Sequence, residues 1–344
     1  MAQIRGMVLA IVVIAASACA APPARAMFPG ANGKIVVSAK QYDNLGDVVS
    51  RAAWMVTLDG RAVRLRGVDQ ATFSPYGKRL AYHSILGSDG IVVSRADRSR
   101  RRHVTRGEDY IPVWSPDGKM LAFVRDGYPR TSNGLNVVGS TDGRRRRLYA
   151  GRVSEIAWSP SGKKLAIATD PNDVFAIPRI RVVDLDGRVT DVGQGRHISW
   201  TRAGLAYRRD DALYVTRSDA RNERLVANGF SRVQNSEYDG CPAEYAWSPD
   251  GTQIAFDRDG EIYVASATGE APRAIARSGG EAGGHCGGHA LSFSPDGRLV
   301  AFSSGWDGLS IVSADGGRKR LVTRVPRDGP WAASIDWQAR PRSR

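Results

Sequence analysis

An all-β fold, a β-propeller of seven four-stranded blades, is predicted by three observations. A five-residue phrase is restated along the chain, the restatements fall roughly 40–50 residues apart, and each interval holds four strand-like runs. The phrase is Trp114-Ser115-Pro116-Asp117-Gly118, Trp247-Ser248-Pro249-Asp250-Gly251 and Phe293-Ser294-Pro295-Asp296-Gly297. Looser copies begin at Phe73 and Trp158, Trp200 keeps only the aromatic and the glycine, and Trp337 closes the series alone. From aromatic to aromatic the steps are 41, 44, 42, 47, 46 and 44 residues.

The unit around Trp247 shows how each element is assigned. Tyr245-Ala246-Trp247 ends strand A, and Ser248-Pro249-Asp250-Gly251 turns, with Pro presetting φ and Asp and Gly accepting the bends that follow. Gln253-Ile254-Ala255-Phe256 is strand B, Glu261–Ala265 is C and Pro272–Ile275 is D. A second tight turn joins C to D and reads Asp59-Gly60, Asp142-Gly143, Asp186-Gly187 and Asp315-Gly316 in other units, a strong hairpin signal between apolar runs. Strand B recurs seven times from Lys34–Ala39 to Arg298–Ser303. The first strand A ends at Phe73, after the first B, C and D have passed, so the missing innermost strand of blade one is expected from Ser334-Ile335-Asp336-Trp337. Sharing a blade between the termini hides two sheet edges. Six blades is the alternative, should the divergent Trp200 unit not form a full one.

Ahead of the repeats, residues 1–26 read as a secretory signal peptide. Arg5 supplies the positive start, Met7–Ala16 the apolar run and Ala24-Arg25-Ala26 the small-residue cleavage site. The run is too short to span a bilayer, and no transmembrane span is expected once it is removed. A lipoprotein acylated at Cys19 is the alternative to release. Residues 27–339 then form the propeller domain and 340–344 a basic tail. The expected location is extracellular or in the cell envelope. Cys241 and Cys286, each a few residues before an anchor aromatic in consecutive repeats, sit at equivalent places on neighbouring blades and are expected to form a disulfide.

The Trp/Phe-Ser-Pro-Asp-Gly phrase followed by Leu-Ala-Phe or Ile-Ala-Phe resembles the WD-like propeller repeats of the TolB family, over nearly all of the chain after the leader. The α/β domain that precedes TolB's propeller has no counterpart between the leader and the first repeat. Phe28-Pro29-Gly30-Ala31-Asn32-Gly33-Lys34 is similar to the start of stand-alone secreted TolB-like proteins of actinobacterial type. The resemblance implies a propeller-only envelope or secreted protein.

Charge divides between the two faces of the ring. The formal charge is +14, and of 49 basic residues only seven are Lys. Lys119, Arg144–Arg147 and Arg318-Lys319-Arg320 fall on the face made by the A–B and C–D turns. The B–C and D–A connections collect acids together with aromatics, among them Asp109, Tyr110, Tyr128, Tyr238, Asp239 and Trp306. Exposed aromatics among acids suit a protein-binding surface, and these six residues are the candidate site. Nucleic acid is not expected as a partner, since arginines and aromatics lie on opposite faces.

The rival chemistries are weaker. His285-Cys286-Gly287-Gly288-His289 holds metal-ligating types, yet its cysteine has a partner in Cys241, so His285 and His289 are weak metal candidates and no cofactor is expected. Asp257-Arg258-Asp259-Gly260 opens like a calcium loop but lacks the later ligands and stands where a hairpin turn is due. There is no Gly-x-Ser-x-Gly nucleophile motif. The leading expectation is a non-catalytic binding module for an envelope or extracellular protein. A small-molecule hydrolase or lyase in the channel mouth, and adhesion to anionic wall polymer through the Arg face, are the alternatives.

Overall fold

Each Ser-Pro-Asp-Gly phrase folds as a self-contained turn. In blade three the Ser115 hydroxyl donates to Asp117 Oδ1 at 2.6 Å, and that oxygen accepts the Lys119 amide at 3.0 Å. The Ser115 hydroxyl in turn accepts the Met120 amide at 2.9 Å. The same bonds recur from Ser248 to Asp250 and from Ser294 to Asp296, both at 2.6 Å. Gly118 and Gly297 take φ of 69° and 76°, which a side chain would strain. A Cβ on Gly118 would also meet Pro75 of the preceding blade at 3.3 Å, and one on Gly297 would meet Pro249 at 3.7 Å. The proline of one turn therefore leans on the glycine of the next, which ties the repeated phrase to the ring.

The computed structural model describes residues 28–42, 48–85, 90–125, 133–169, 177–217, 222–230, 245–278, 290–303, 308–324 and 331–341. They form seven four-stranded antiparallel sheets, the propeller that the repeat predicts. Blade one is shared between the termini: Trp331–Arg340 is its innermost strand and pairs with Ala31–Tyr42, followed by Val48–Val56 and Ala62–Arg64. The Trp200 unit forms a complete blade from Arg196–Thr201 to Arg224–Asn228, so the count is seven. Its shorter turn pairs Thr201 directly with Gly204.

Burial falls from the axis outwards. The inner strand Val68–Phe73 is buried along its whole length, whereas the outer strand Ala62–Arg64 is exposed throughout. Blade-to-blade packing is apolar: Trp114 joins Ala81 and Ile91 of the preceding blade, and Trp158 joins Val113 and Leu135. Truncating such an anchor to Ala costs about 3–5 kcal/mol. Six anchors are buried, while Trp200 is only partly so.

Outer-strand arginines clamp the seams. Arg102 donates to the carbonyl of Ser140 at 2.7 Å, Arg273 to that of Ala314 at 2.9 Å and Arg320 to that of Leu58 at 2.9 Å. Each acceptor is in the C–D turn of the next blade, so part of the basic face serves the ring itself. Short, charged outer strands also discourage edge pairing.

Candidate functional site

Strand A of each blade begins at the face of the B–C and D–A connections, and strand B ends there. That end of the channel holds buried charge. Asp109 starts the inner strand Asp109–Trp114, and Arg125 ends its neighbour Met120–Arg125 directly opposite. The guanidinium donates twice to the carboxylate, at 2.6 and 2.7 Å, and once to the Arg106 carbonyl at 2.8 Å. Asp109, expected among the surface acids, is fully buried, because antiparallel register hands it a cation sixteen residues away. These hydrogen bonds hold the Arg125 guanidinium above its ordinary range despite the cost of burial.

Tyr110 stands beside it, partly buried, its ring 4.6 Å from that of His83 and edge-on to it. His83 is buried, and neither ring nitrogen has a hydrogen-bond partner among the described residues. Its Nδ1 lies 3.8 Å from Asp69 Oδ2, which is also 3.8 Å from Arg51 Nε. Blades two and three thus meet at Tyr110, and Asp69 links Arg51 of blade one to His83.

A second cluster lies in blades four to six. Glu155 accepts the amides of His197 and Ile198 in the next blade, at 2.8 and 2.6 Å. His197 has φ of 56° and sits at a bulge that frees those amides from the ladder. Blade three repeats the device: Ile111, φ 55°, gives its amide to Gln70 Oε1 of blade two at 2.8 Å. Burial, then the charges of Arg208 and Arg196, push the His197 imidazole well below its usual range, so it is neutral. The Tyr245 hydroxyl donates to the His197 carbonyl and lies 3.1 Å from Ser199 Oγ. Arg208 is itself buried, its guanidinium 4.6 Å from the centre of the Phe230 ring. Burial pushes the Asp257 carboxyl up to about 7, against the pull of the Gly260 amide.

Three of these groups share one place in the repeat. His83, Arg208 and Asp257 each follow the Leu/Ile-Ala-aromatic triplet of strand B, where blades three and four carry Val124 and Ala168. All five positions are buried. An alignment of the repeats upon one another therefore reveals the ionisable exceptions, which a linear reading passes over.

Of the six candidate residues, the structure places Asp109 and Tyr110 together at this end of the channel. Tyr128, Tyr238, Asp239 and Trp306 lie outside the described residues, as do Cys241, Cys286, His285 and His289. Among the described residues no helix is long and apolar enough to cross a membrane.

Residues 281–309 match the model of the WD domain, G-beta repeat. No curated protein matches the chain. A solved structure of puromycin hydrolase is similar with a TM-score of 0.61 and 14% identity, over 89% of this chain and 54% of the hydrolase. Oligogalacturonate lyase in complex with manganese gives 0.57 and 17%, over 87% and 86% of the two chains. TolB from Acinetobacter baumannii gives 0.49 and 16%, over 89% and 82%. At such identities the first two likenesses establish the propeller and nothing of its chemistry.

Proposed function

We propose that the chain is an exported, non-catalytic binding module whose B–C and D–A face engages another envelope or extracellular protein. The observation that carries this reading is Tyr110, held edge-on against the buried His83 ring at the same end of the channel as the buried Asp109–Arg125 pair. Buried charge of this kind fixes side chains at one end of a rigid ring, and a partner gains most from aromatic anchors that are already positioned. The connections on this face also differ from blade to blade in length and composition, whereas the A–B turns repeat.

The test is a crosslinking pull-down from source-cell envelope with two proteins side by side, the native chain and a Tyr128→Ala, Tyr238→Ala, Trp306→Ala variant. A protein captured by the first and lost from the second is the expected result. Undiminished capture by the variant would assign the interaction elsewhere. Processing at Ala26 is checked separately by mass spectrometry of the protein recovered from outside the cell.

A further inference from the structure

The opposite mouth of the channel, among the A–B turns, encloses a cavity of about 510 Å3. Its walls are chemically divided. Trp158 and Trp200 line it from blades four and five, while Asp250, Asp296 and Asp336 line it from blades six, seven and one. Arg202 is the one cation among the lining residues, and it is exposed. Phe28 adds a further ring from the start of the described chain.

Two departures from the repeat shape this site. The blade-five turn, Thr201–Gly204, is the shortest of the A–B turns and leaves Trp200 partly exposed to the cavity, unlike the six buried anchors. Asp336 occupies an inward strand position where the adjacent blades two and seven carry Thr72 and Ser292, and blades three, four and six carry Val113, Ala157 and Ala246. It is buried, and its Oδ2 accepts the Thr72 hydroxyl at 2.9 Å and the Phe73 amide at 2.7 Å. On a chain with a formal charge of +14, an enclosure with three carboxylates and one arginine has the opposite sign to the molecule's exterior. Asp250 and Asp296 stay ionised in it: burial raises them, but the Ser248 and Ser294 hydroxyls and the turn amides more than offset that, leaving both below the usual carboxylate range.

We propose that this mouth binds a small organic cation with an apolar body, an arylalkylammonium being the simplest form. Indole faces attract such cations, most strongly where water is excluded, and a carboxylate wall opposite them holds the charged end. The volume is that of a small-molecule site. The site is distinct from the protein-binding face, and neither reading depends on the other.

Calorimetric titration with phenethylammonium, against 2-phenylethanol as the neutral compound of the same shape, tests the proposal. Saturable one-to-one binding of the amine, with the alcohol weaker by roughly tenfold or more, is expected. Trp200→Ala and Asp250→Asn should each weaken the amine by roughly fivefold or more. Asn at 250 can still accept the turn amide, and thermal melts confirm that both variants fold. Tyr110→Ala, at the far end of the channel, should leave the amine's affinity unchanged. Equal affinity for amine and alcohol, unchanged affinity in both cavity variants, or no saturable binding of the amine would each overturn the proposal.

Discussion

The two ends of the channel solve the same problem in different ways. At the A–B end the repeated Ser–Asp hydrogen bonds close within the turn, as Ser115, Asp117, Lys119 and Met120 show. At the other end partners come from a different strand or blade: Asp109 with Arg125, Glu155 with His197 and Ile198, Gln70 with Ile111. The first arrangement can be copied from blade to blade, because its Ser–Asp bonds close within each turn. The second must be composed residue by residue around the ring. Repetition therefore marks what builds the disc, and its breakdown marks where the disc is specialised.

This contrast is broken most severely by removing one partner of a charged pair. Asp109→Ala strands Arg125 and should cost about 3–5 kcal/mol, the range for an uncompensated buried charge, read from urea midpoints. Glu155→Ala orphans two amides and should cost about 2–4 kcal/mol, with Glu155→Gln milder because one acceptor remains.

Asp257 sharpens the contrast through pH. Its folded value of about 7 lies above the ordinary 3.8, so the native protein holds a proton that the unfolded chain has released across that window. Stability should be fully present below the lower value and fall as pH rises through the upper one. Asp257→Asn should flatten that fall and leave the variant more stable than the native protein at pH ~8, by about 2 kcal/mol, in urea unfolding at pH ~5 and ~8. The smallest effects belong to the turns. Ser115→Ala, Ser248→Ala and Ser294→Ala should cost about 1 kcal/mol each and add nearly independently in the triple variant.

What could be read from the sequence divides along the same line. The blade count, the strand order and the closure by Trp337 follow from the period and the turn phrase, whose interactions are local. Tyr110 was legible as an aromatic at the start of a strand. Burial of Asp109 was not, since it depends on a register that brings Arg125 opposite it. His83, Arg208 and Asp257 were visible only as departures within a stack of aligned repeats. The aromatic–acid enclosure around Trp200 needs closure of the ring, because Asp250, Asp296 and Asp336 come from three blades.

The strand that completes blade one has a consequence for the order of events during synthesis. Trp331–Arg340 pairs with Ala31–Tyr42, so the first sheet to begin is the last to be finished. A ribosome-bound chain can assemble blades two to seven in sequence but must wait for its final stretch before the circle shuts. Until then the inner edge of the opening strand is bare and adhesive. A cell that makes this protein has a reason to keep that edge covered until it closes.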